Sequence, residues 1–152
     1  ESRYKKSQLE YERYAVIAVC SIYGVDILED NVLECRNRLL GIFTEQYERL
    51  FSKTTKQECI HSIQFILDRN ILWGDALTLR TVGENEKPII FSEWSPINGS
   101  MIKRRDFTLD MLLRPRNVDG HSLFSDMGEE VFIPTPISEY PLRHFLKLSI
   151  DA

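Results

Sequence analysis

Apolar side chains recur with helical spacing three times in the first 70 residues, and then the pattern shortens into brief extended runs. The first recurrence follows Ser7-Gln-Leu-Glu10, which has the form of a capping box, hydroxyl and carboxylate each satisfying the other's free backbone N–H. Tyr11, Tyr14, Ala15, Ala18, Val19 and Ile22 then share one face, while Val16, Ile17 and Cys20 fill the other. A run apolar on all sides from 14 to 23 predicts a central, buried helix, with Gly24 as its stop. After an acidic connection, Asp26 to Asp30, the residues Leu33, Leu40 and Tyr47 recur every seventh position, with Glu34, Arg38, Glu45, Glu48 and Arg49 on the wet side. Gly41 interrupts this stripe at a cost of about 1 kcal/mol relative to Ala, so two short helices near 30–40 and 42–52 are expected. A second capping box, Thr55-Lys-Gln-Glu58, opens a third helix that buries Cys59, Ile63, Ile66 and Leu67, and Asn70 suits its left-handed terminus.

Beyond Asn70 the period changes. Ile71-Leu-Trp73 and the stretch from Ala76 to Val82 flank Gly74-Asp75, which fits a type II′ turn, so a hairpin is expected over 71–82. Asn98-Gly99 is a type I′ signal, and predicts a second hairpin from 89–94 and 100–103, confined to a sheet edge by Pro96. The stretch "KRRDFTLDMLLRPRN" reads as a short helix or strand. The glycines and prolines of 115–141 predict mostly irregular chain, and Leu142, Phe145, Leu146 and Leu148 suit a short terminal helix packed back on the core.

Helix, helix, helix, hairpin is an order that resembles the winged-helix fold, in element order alone and with no family motif. The expected class is therefore α+β, with a winged-helix-like core over 1–82. Residues 83–152 form a C-terminal β-hairpin and Pro-rich extension packed on that core as one compact unit.

Composition changes this picture in three ways. The net charge is −4, and it is spread evenly, ten basic and twelve acidic residues in 1–76 against nine and eleven in 77–152. Neither half is basic, which weighs against a dedicated nucleic-acid binder, whose phosphate affinity comes from Lys and Arg. The cysteines, Cys20, Cys35 and Cys59, form no CxxC pair and lie in apolar or helical runs, so buried reduced thiols and an intracellular setting, nuclear or cytoplasmic, are expected. No apolar run approaches the roughly 18–20 residues that span a bilayer, so no membrane partner is expected. The opening Glu1 predicts a piece cut from a longer chain.

Candidate chemistry is sparse. His61, His121 and His144 make no ligand pair or HExxH motif, and no P-loop, GxGxxG or GxSxG occurs, so no catalytic residue, metal or cofactor is expected. The leading reading is a non-enzymatic module of a larger protein that docks another protein or a second copy of itself, a scaffold or dimerisation role. Its expected contact residues are Trp73 and Asp75 at the wing, with Phe124, Phe132 and Ile133 in the tail. The rival reading is a nucleic-acid-binding winged helix. It would use Lys56, Gln57 and Gln64 on the third helix, and Lys103, Arg104 and Arg105.

Overall fold

The computed structural model describes residues 7–113 and 134–150. Among them the fold is α+β: three long helices, a short fourth, and two small sheets. Helix α1 (Gln8–Cys20) begins where its sequence said it should, with the Ser7 hydroxyl accepting the Glu10 N–H at 3.4 Å. It is not buried on all sides. Only Glu12, Val16 and Cys20, one stripe at intervals of four, are enclosed, and Tyr14 is 44% exposed. A helix lying on one neighbour needs one apolar stripe, and the remaining apolar residues stay at the surface.

Gly24 does not stop the helix but opens a strand, β1 (Gly24–Asp26). Helix α2 (Glu29–Phe51) follows as a single rod of 23 residues, not two short helices. Nothing lies within 4 Å of a side chain built at Gly41, so the glycine is merely a weak point on an open helix face. The stripe departs from the Leu33, Leu40, Tyr47 repeat at its start, Tyr47 being buried as expected and Val32 taking the place of Leu33. Val32, Phe43 and Tyr47 are buried, and Leu33 is 50% exposed.

Helix α3 (Gln57–Asn70) starts one residue later than expected, with Lys56 as a cap residue whose side chain makes no capping bond, and it buries Cys59, Ile63, Ile66 and Leu67 as its spacing requires. Asn70 is not left-handed. It is the last helical residue, fully buried, and its amide ties three elements together: Nδ2 donates to the Cys20 carbonyl at 3.3 Å, and Oδ1 accepts the Trp94 indole N–H at 2.8 Å.

Strand β2 (Ile71–Trp73) leaves α3 directly, and the expected 71–82 hairpin does not form. β2 pairs instead in parallel with β1, Gly24 opposite Ile71 and Asp26 opposite Trp73, and α2 and α3 make the crossover. The Asp75 carboxylate accepts the Leu77 N–H at 2.8 Å, curling 75–80 into a turn closed by a single Asp75–Arg80 bridge. An Asx turn there outcompetes a second strand.

The true hairpin is the second one. β3 (Ile90–Ile97) and β4 (Met101–Thr108) pair antiparallel, longer than expected, about a turn in which Asn98 and Gly99 both take positive φ. β5 (Ser138–Glu139) and β6 (Arg143–His144) add to the far side of β4, which leaves β3 at the edge where Pro96 can be tolerated. Helix α4 (Leu109–Leu113) continues from β4. A 3₁₀ turn (Phe145–Lys147) brings Phe145, Leu146 and Leu148 into the core, with the Leu148 N–H donating to Ser62 Oγ, while Leu142 stays outside.

Candidate functional site

Strand alternation sorts the hairpin's side chains onto two faces. Trp94, Ile102, Arg104 and Asp106 turn toward α3. Phe91, Glu93, Arg105 and Phe107 turn the other way, where they floor an open groove of about 610 Å³. Its walls are Tyr23, which follows α1, and Leu109, Leu112 and Leu113 of α4, with Pro134 at the rim.

The groove is apolar because each of its polar groups already has a partner. The Tyr23 hydroxyl donates to the Ser92 carbonyl at 2.8 Å, its ring meets Phe91 edge-on at 5.5 Å, and burial pushes its pKa up to about 12, helped by Cys20 and Glu93. Glu93 accepts two bonds of 2.9 Å from the Arg105 guanidinium, whose carbon lies 5.7 Å from the Phe107 ring centroid. What remains open to contact is hydrocarbon: Leu112 is 48% exposed and Leu113 58%.

The sequence-predicted contact residues divide between several places. Trp73 is 38% exposed, its indole N–H donating to the Ile27 carbonyl, beside exposed Ile27 and Leu28 at the end of the β1–β2 ribbon. Asp75 is spent on its own turn. Phe124, Phe132 and Ile133 lie outside the described residues. Gln57 and Gln64 are exposed on α3, but Lys56 reaches inward to the fully buried Glu12, Nζ to Oε2 at 2.9 Å. That carboxylate also accepts the Tyr47 hydroxyl at 2.5 Å and the Gln8 amide at 2.8 Å, so the cluster fastens α1, α2 and the start of α3. Burial and the Glu12 bond hold the Tyr47 hydroxyl well above its ordinary pKa.

Lys103, Arg104 and Arg105 do not form one basic patch. Lys103 faces Glu139 at 3.8 Å, Arg104 is bonded to Asp106 at 2.8 Å on the inner face, and Arg105 is held by Glu93 on the outer one. Alternation along a strand separates consecutive residues, which a count of charges in a window does not register.

Two of the three thiols are buried as expected. Burial pushes Cys20 and Cys59 both up to about 12, whereas Cys35 is exposed on α2. Among the described residues there is no His/Cys/Asp/Glu cluster that could hold a metal, and no helix is long and apolar enough to cross a membrane. The groove itself was missed in sequence. Its one signal was the apolar Leu112-Leu113 pair at the end of the short helix that follows β4. Compared with family models, curated proteins and solved structures, the chain matches none of them.

Proposed function

We propose that this chain is a non-enzymatic docking module, and that the groove between Tyr23, the outer sheet face and α4 takes bulky apolar side chains from a segment of another protein. The observation that carries the reading is the pairing of Leu112 and Leu113, about half exposed, with an apolar floor whose only charges among the described residues, Glu93 and Arg105, neutralise each other. A groove of that kind rewards an uncharged, hydrophobic occupant, since a charge brought there loses water and gains no partner. Its titratable groups are already bonded to protein, which supports recognition over proton transfer.

The finer architectural reading is winged-helix-like. Helix, strand, two helices, strand and hairpin follow one another, with β3–β4 in the wing's place and 71–82 replaced in that role. Buried thiols, raised in pKa and unpaired with one another, fit an intracellular setting. Nucleic-acid contact has less support, because Lys56, Lys103, Arg104 and Arg105 each meet a carboxylate.

Selection from a random peptide display library tests the proposal. The expected binders share two bulky apolar residues without charge between them, and Leu113→Asp weakens them at least about tenfold. Enrichment of charged peptides, or equal binding by the variant, would reject the reading.

A further inference from the structure

The inner face of the same sheet carries a second cavity of quite different chemistry. It encloses about 180 Å³ among Phe65 and Arg69 of α3, Trp94 of β3, Arg104 of β4, Tyr140, and Arg143 of β6. Three arginines from three elements thus line an aromatic-walled cavity. The guanidinium carbon of Arg69 lies over the Phe65 ring, 3.4 Å from its centroid, and the side chain donates to the Phe65 carbonyl. Arg104 lies 4.0 Å from the Tyr140 centroid and 5.7 Å from those of both Phe65 and Trp94. Arg143 donates to the Ile150 carbonyl.

Asp106 is the only carboxylate among the described residues within ion-pair distance of any of the three, and it is committed to Arg104 through bonds of 3.0 and 2.8 Å. Ser92 and Tyr140 donate to the same carboxylate, at 2.8 and 3.0 Å, so Arg104 is fixed before any ligand arrives. Arg69 and Arg143 meet no carboxylate within 4 Å among the described residues. Among the described residues Arg69 and Arg143 thus enter no ion pair, Asp68 and Asp106 acting on Arg69 only from farther off, and both arginines line a half-closed, aromatic-walled space that an anion could bridge.

We propose that this cavity is a binding site for a phosphate monoester group. Guanidinium forks match the tetrahedral oxygens of a phosphoryl group, and a dianion with three free oxygens can bond Arg69 and Arg143 together, where a carboxylate brings one charge and two oxygens. The volume admits one such group and not a whole nucleotide, which falls in the larger class of pocket, roughly 300–1,000 Å³. Phe65, Trp94 and Tyr140 give an organic ester a surface to stack on.

The test is a fluorescence titration in a Trp73→Phe background, where Trp94 is the remaining tryptophan and lines the cavity. Inorganic phosphate, phenyl phosphate and acetate are the probes, at low salt. Phosphate should produce a saturable change, at least about tenfold tighter than acetate, and both Arg69→Gln and Arg143→Gln should weaken it about tenfold or more. Arg143 sits on a short peripheral strand, so its variant keeps the test valid if Arg69→Gln fails to fold. Tighter binding of phenyl phosphate would place the source in an aromatic ester, and equal binding in free phosphate. The proposal is overturned by no saturation up to about 10 mM phosphate, by acetate binding as tightly, or by wild-type affinity in a folded Arg143→Gln variant.

Discussion

At the scale of single residues, Asn70 has more consequence than its place at a helix end suggests. Its amide satisfies a carbonyl at the end of α1 and the indole of Trp94 at once, in a site with no solvent. Asn70→Ala strands both partners, and should lower stability by roughly 2–3 kcal/mol, read as a shift of the denaturant midpoint at unchanged slope. Retention of the wild-type midpoint would mean that Trp94 does not depend on this bond. The buried thiols give a second residue-scale prediction. In an unfolded chain a thiol loses its proton near pH 9, whereas folding raises Cys20 and Cys59 to about 12. The folded pKa is the higher one, so this stabilisation is complete below about pH 9 and is lost as pH climbs from 9 toward 12. Over that window each thiol adds a slope of about 1.4 kcal/mol per pH unit. Melting temperatures between pH 7 and 11 should fall above pH 9, and the Cys20→Ala, Cys59→Ala double variant should fall less steeply. Equal slopes would remove the thiols as the cause.

At the scale of elements, α2 distinguishes propensity from packing. Gly41 argues locally for a break, yet Val32, Phe43 and Tyr47 pack along one continuous face and carry the helix through it. Gly41→Ala should therefore stabilise the protein by about 1 kcal/mol, since nothing lies within 4 Å of the added methyl. Destabilisation on thermal melting would indicate a break at that position. The helical stretches and the Asn98-Gly99 hairpin were legible in sequence because period, caps and positive-φ residues are local signals, while the continuity of α2 was not. The β1–β2 pairing was not. Gly24–Asp26 is three residues long, and its partner lies beyond two helices, so nothing local marks either strand as waiting for the other. The 71–82 hairpin failed for a related reason, because the Asp75 side chain supplies a competing turn that residue propensities do not weigh.

At the scale of the molecule, one hairpin lines a cavity on each of its two faces. The outer face carries the groove, whose hydrocarbon could not be located from sequence, because Tyr23, Phe91, Phe107 and Leu113 come from four separate stretches. The inner face carries the arginine box, invisible for the same reason: Arg69, Arg104 and Arg143 lie far apart in the chain, and the apparent cluster at 103–105 divides between faces. The even charge balance of the chain thus conceals three arginines among the described residues that line the inner-face cavity.

The docking claim is met most directly by placing a photo-crosslinking residue at position 112, and in a separate protein at position 73, and irradiating each with a peptide selected for binding. The account predicts crosslinks from 112 to the peptide's apolar side chains, lost in the Leu113→Asp background, and little or none from 73. Crosslinks from 73 alone, or from 112 only to the same chain, would contradict it.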